Sequence, residues 1–194
     1  AETPHIFFSA YGRFPELKDG RARFRGMHVG RDPRDMILSA AAYHTWSDES
    51  WLHEPVEEFG GRTYQEQINS FDSEEERIAF EMRNNSSKII GKMASFELYD
   101  CMFDVRYEDM RRDKNLLAWH RICLKLGFSP EELPICFRAF MKHSLQFGQV
   151  RNKAHIQDTS VTRWQNKFPE EHLAEAESRF ASALERFGYA RSNA

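Results

Sequence analysis

The stretch Gly26-Met27-His28-Val29-Gly30-Arg31-Asp32-Pro33-Arg34-Asp35-Met36-Ile37-Leu38-Ser39 decides how the rest of the chain is read. Its first half has the composition of a short buried strand that ends in a cation. Its second half opens a helix, with Asp32 as N-cap and Pro33 at the first helical position, where a fixed φ and a missing N–H cost nothing. A strand-to-helix junction is where an open α/β sheet binds anions, because the helix start presents unsatisfied N–H groups and a positive partial charge. Arg31 adds a planar guanidinium matched to phosphate. Ser39 follows about two helical turns on, placed to give the same anion one more hydrogen bond.

Outward from this junction the pattern is α/β with more helix than strand. His5 to Ala10 is predicted as a strand, Phe24 to Gly30 as a second and Asp100 to Arg106 as a third. Helices are predicted from Asp32 to about Trp46, from Thr63 to Ser70, and onward from Asp72-Ser73-Glu74-Glu75-Glu76, whose acidic first turn suits the helix dipole. Three more are expected at about Leu116–Leu126, Pro130–Phe147 and Pro169–Phe187, giving a helix-rich C-terminal half. Gly127 and Gly188 are the expected stops. Ser47 to Gly61 has no clean period and reads as a long loop. Strands separated by helices argue for βαβ units and a parallel sheet.

With 194 residues, no repeat and no linker, a single domain spanning 1–194 is expected. The net charge of −3 gives no global attraction to nucleic acid or to an anionic membrane, so any anion site is local. No apolar run approaches the roughly 18 residues that span a bilayer. No signal peptide is visible either. Cys101, Cys123 and Cys136 are odd in number and widely spaced, which suits reduced thiols of a cytoplasmic protein. His44, His53 and Glu54 show no ligand spacing such as His-Glu-x-x-His, so no metal is expected.

Four segments, in order, resemble the sulfotransferases that use 3'-phosphoadenosine 5'-phosphosulfate (PAPS). Arg31-Asp32-Pro33-Arg34-Asp35 with Ser39 is similar to the motif that holds the donor's 3'-phosphate. Val105-Arg106-Tyr107-Glu108-Asp109-Met110 is similar to a strand exit whose Tyr lies near the donor's adenine. The helix Ala118 to Phe128, ending in Leu126-Gly127-Phe128, resembles the packing helix that follows. His155 to Asn166 resembles a late loop, with Trp164 matching the family Trp. The family's loop Arg falls at Gln157, which removes one charge unless Arg151, Lys153 or Arg163 substitutes.

The resemblance implies a P-loop-NTPase-like three-layer fold, with a central parallel sheet flanked by helices. It implies PAPS as co-substrate, held by Arg31, Ser39, Tyr107, Trp164 and Arg163, without a metal. The acceptor would be a small molecule, its apolar wall drawn from Trp46, Trp51 and Tyr64, and a homodimer is compatible with it. No Lys-Ser/Thr-Gly-Thr-Thr loop for the 5'-phosphosulfate occurs. The chain also begins with Ala1 and reaches the run Thr3-Pro4-His5-Ile6-Phe7-Phe8 almost at once, so it reads as lacking the family's N-terminal strand and P-loop. The family's base, a His upstream, falls near Ser9 by position, and the one His before Gly26 is His5. A chain without the P-loop leaves a second reading, a non-catalytic module that binds adenosine 3',5'-bisphosphate or a protein partner.

Overall fold

A computed structural model describes residues 24–147 and 160–192. The predicted strand His5–Ala10 lies outside them. Within them the protein is α/β, with helices predominating over one small parallel sheet. Strand β1 (Gly26–Gly30) pairs in parallel with β2 (Met102–Arg106), from Gly26 opposite Met102 to Gly30 opposite Arg106. Between them run α1 (Pro33–Tyr43), two short 3-10 turns (Ser50–His53 and Glu57–Phe59), α2 (Tyr64–Asn69), α3 (Glu74–Arg83) and α4 (Asn85–Ser95). After β2 come α5 (Tyr107–Arg112), α6 (Leu117–Leu126), α7 (Leu133–His143), α8 (Trp164–Lys167), α9 (Glu170–Arg179) and α10 (Ala181–Phe187).

The element starts follow local chemistry. Asp32 caps α1, its carboxylate accepting from the Arg34 N–H at 3.0 Å, with Pro33 just inside. Thr63 and Ser73 open α2 and α3 with reciprocal capping boxes to Glu66 and Glu76. Gly127 and Gly188 end α6 and α10 in the left-handed conformation, with φ of 91° and 65°.

Several predicted spans are corrected. The helix expected to run to Trp46 ends at Tyr43, and the expected loop 47–61 contains two 3-10 turns. The helix begun at Ser73 breaks at Asn84, whose side chain donates to the Phe80 carbonyl, while Glu81 accepts from both the N–H and the hydroxyl of Ser86. Those side-chain bonds compete with continuing the backbone ladder. The helix expected over 130–147 occupies Leu133–His143, because Glu132 closes a turn back onto the Ser129 N–H. The span 169–187 divides at Phe180 into α9 and α10.

The main core gathers Ile37, Leu38 and Ala41 of α1 with Ile78 and Met82 of α3, Ile90 and Met93 of α4, and Ala176 to Tyr189 of the last two helices. Gly30 meets Phe187 so closely that a Cβ there would overlap the ring. His28 stacks on Phe96 and accepts or donates at Asp104, 2.6 Å away on β2, and Arg186 of α10 grips the same carboxylate. One face of the sheet is thereby locked to α10. The three cysteines are free thiols, and burial with the neighbouring Cys136 pushes Cys123 up to about 12.

Candidate functional site

Because β1 and β2 are parallel and end in register, both exits fall at the same edge of the sheet. Arg31 leaves β1 and Tyr107 leaves β2, one residue beyond the last pair. The Arg31 guanidinium carbon lies 5.1 Å from the Tyr107 ring centre. A cation over an aromatic face is a favourable contact. The exits are tied by Glu108, which accepts from the Asp32 N–H at 3.0 Å and from the Tyr189 hydroxyl at 2.5 Å. Burial and the Glu108 charge raise the Tyr189 phenol above its ordinary range.

The other side of α1 meets residues 162–164. Asp35 accepts from the Thr162 N–H at 2.6 Å and the Trp164 N–H at 2.9 Å. Burial pushes its carboxyl upward, and these two donors, with the Arg31 charge, pull it back. Thr162 has φ of 62°, the left-handed region, which a β-branched residue rarely enters. Held this way, Arg163 donates to Ser39 Oγ at 2.6 Å. The serine oxygen is then an acceptor toward the protein, and its own O–H remains a donor for an anion.

Arg34 is part of the frame. It is 1% exposed, forks onto both oxygens of Asp32 and reaches Glu177 at 2.6 Å and the Ala190 carbonyl at 2.9 Å. Trp164 lies under it, with the guanidinium carbon 3.4 Å from the ring centre. The structure therefore brings together Arg31 with Tyr107, and Ser39 with Arg163, and sets Trp164 against the buried Arg34. Asp35, Thr162 and Glu108 complete the site; they stand inside the quoted motifs and loop, but sequence alone assigns them no role of their own. The buried acid at the fourth position after Arg31 is the signal that was present for Asp35.

Of the aromatics expected at an acceptor wall, Trp51 and Tyr64 pack together and Trp46 packs on Tyr43. Tyr64 is buried, and its hydroxyl donates to Glu81 at 2.8 Å, which His44 also contacts at 2.9 Å. Trp51 packs on Tyr64 at 5.1 Å and donates to Glu49 at 2.6 Å. Trp46 packs on Tyr43, ring centres 5.1 Å apart. Tyr64 and His44 thus hold the fully buried Glu81 carboxylate, and Trp51 packs edge-on against both of their rings. His5, Arg151, Lys153 and Gln157 lie outside the described residues.

Among the described residues one set of potential metal ligands converges: Glu75, Glu171 and His172, with ligand atoms within 4.8 Å. They stand in the first turns of α3 and α9, whose dipoles oppose a cation. No described helix is long and apolar enough to cross a membrane. Comparison of the chain with protein-family models, with curated proteins and with solved structures finds no match.

Proposed function

We propose that the common edge of β1 and β2 holds the 3'-phosphate and adenine of PAPS, and that the protein transfers its sulfuryl group to a hydroxyl or amine of a small, mainly apolar acceptor. The observation that carries this reading is the pairing of Arg31 with Tyr107 at the carboxyl ends of two parallel strands, with Ser39 and Arg163 paired along the helix that begins there. Open α/β sheets bind their ligands at that edge. Arg31 and Arg163 would supply cations, the Ser39 hydroxyl a donor, and Tyr107 an aromatic face for a purine.

In the reaction the acceptor oxygen or nitrogen forms a bond to sulfur as the bond from sulfur to the bridging phosphate oxygen breaks. Adenosine 3',5'-bisphosphate leaves with the electron pair, and the acceptor's proton passes to a base; the resemblance gives that role to an upstream His, and His5 is the one His before Gly26. No metal enters this scheme. The three-layer fold belongs to the same proposal. Parallel strands occur in sheets covered on both faces. Here α10 covers one face, while Val29, in the middle of β1, is 40% exposed. That exposure fits a sheet continued and covered by a further layer.

Calorimetric titration with adenosine 3',5'-bisphosphate tests the donor site. A charge-assisted contact contributes about 1.5–3 kcal/mol, so Arg31→Ala and Arg163→Ala should each weaken binding roughly 10- to 100-fold. No binding by the wild type, or wild-type affinity in both variants, overturns the assignment. Transfer of labelled sulfate from PAPS to a panel of phenols then separates an enzyme from a binding module.

A further inference from the structure

Helices α6 and α7 form a hairpin whose inner side is filled and whose outer side is not. Inside, Trp119 stacks on Phe140 with ring centres 4.6 Å apart and donates to the Cys136 carbonyl at 3.1 Å, and His120 meets Phe137 edge-on. Outside, α7 buries no side chain fully. Ile135 is 62% exposed and Met141 46%, while on α6 Leu117 is 55% and Leu124 46% exposed. Leu117 and Leu124 are two turns apart, on one stripe.

Between these apolar side chains stand Arg121, Arg138 and Lys142, all exposed, while the ammonium of Lys125 rests over the Phe103 ring of β2 at 4.9 Å. From Lys114 to His143 the sequence has five Lys and Arg and two acids, Glu131 and Glu132, both in the turn between the helices. The whole chain, by contrast, carries −3. Arg121, Arg138 and Lys142 form no ion pair among the described residues.

A surface that is basic and apolar at once selects its partner. A polyanion such as nucleic acid gains from the cations but nothing from Ile135, Met141, Leu117 or Leu124. A lipid interface takes both, the apolar side chains entering the headgroup boundary while long basic side chains reach the phosphates. We propose that the outer face of the α6–α7 hairpin docks the protein on an anionic lipid surface. This site is independent of the nucleotide reading, and it is local, which is how a chain of net negative charge can bind an anionic membrane.

The test is co-sedimentation of the full chain with vesicles of phosphatidylcholine alone and of phosphatidylcholine with phosphatidylserine. Binding is expected to the second kind and to weaken in 1 M salt, where the Debye length falls to about 3 Å. Each cation near an anionic leaflet contributes about 1 kcal/mol, so Arg138→Glu with Lys142→Glu should lower partitioning at least roughly 30-fold. Ile135→Ser with Met141→Ser should lower it as well. All four side chains are exposed, and an unchanged melting temperature will show that the variants fold. No binding to phosphatidylserine vesicles, or unchanged partitioning of the charge-reversed variant, overturns the proposal. Vesicle binding that survives the Ile135/Met141 change would reveal a plain polyanion site and also overturns it.

Discussion

Replacing Asp35 by Ala removes the carboxylate that anchors the backbone of residues 162–164 to α1, and the structure sets the size of the effect. Two backbone donors, Thr162 N–H at 2.6 Å and Trp164 N–H at 2.9 Å, end on this carboxylate. Charge-assisted bonds contribute about 1.5–3 kcal/mol each. Two losses of that kind are offset in part by relief of the carboxylate's burial, the largest influence on its titration. They are offset further because Thr162, at φ of 62°, can leave a conformation costing on the order of 1–3 kcal/mol. The net expectation is a loss of about 2 kcal/mol, or roughly 4–8 °C in melting temperature for a chain of this size. Asp35→Asn, which keeps one acceptor for two donors, should fall between the wild type and Ala. Thr162→Gly should move the other way, since glycine accepts positive φ freely. Urea denaturation of the three variants measures all of this. An Asp35→Ala protein within about 0.5 kcal/mol of wild type, or a Thr162→Gly protein less stable than it by more than about 1 kcal/mol, refutes the reasoning.

Two further outcomes rest on other elements. Arg83 of α3 forks onto Glu175 of α9 at 3.1 and 2.7 Å, and Arg179 adds a third bond, which hold the Glu175 carboxyl down at about 2. A depressed folded value stabilises above the unfolded 4.5 and loses that contribution as pH falls toward 2; the pair is solvent-exposed, so about 1 kcal/mol is expected. Denaturation series between pH 6 and 2 should show Arg83→Ala with a shallower acid limb than wild type, and parallel limbs would count against it. Gly30→Ala should cost about 1–3 kcal/mol or more, because the new methyl overlaps the Phe187 ring, and Phe187→Leu should recover part of it. Additive losses in the double variant would show that the overlap is not the cause.

Local chemistry was legible in the sequence and distant pairing was not. Asp32 and Pro33 announce the start of α1 because the cap bond spans two residues. Gly127 and Gly188 announce helix ends because only the backbone's own conformation is at stake. The break at Asn84 was hidden, since it depends on Glu81, a buried carboxylate whose partners His44 and Tyr64 lie 37 and 17 residues away. In the candidate site, Arg31 just precedes α1 and Ser39 lies about two turns into it, so their placement along one helix was readable from spacing. The partner of Asp35 is 127 residues distant, and no periodicity carries that information. For Tyr64, aromatic composition alone does not reveal the buried Glu81 carboxylate that its hydroxyl meets 17 residues away.

The start of α1 contains more carboxylates than an anion site tolerates unless each is occupied, and each is. Asp35 is taken by two N–H groups, and Glu108 by the Asp32 N–H and the Tyr189 hydroxyl. Asp32 and Glu177 are both taken by Arg34. Arg31 consequently forms no ion pair among the described residues and lies over Tyr107. On the proposed donor-site reading, Arg34 would therefore govern anion affinity without touching the anion. Lysine keeps its charge but offers one ammonium where the guanidinium makes two bonds to Asp32, one to Glu177 and one to Ala190. In Arg34→Lys the Asp32 carboxylate, next in sequence to Arg31, is left to compete for that guanidinium. An entering phosphate must then displace an ion pair, and affinity for adenosine 3',5'-bisphosphate should fall about tenfold, near the lower end for one charge-assisted contact. The accompanying loss of stability can be watched separately by melting. A folded Arg34→Lys protein that binds the nucleotide as tightly as wild type would show that Asp32 never competes for Arg31.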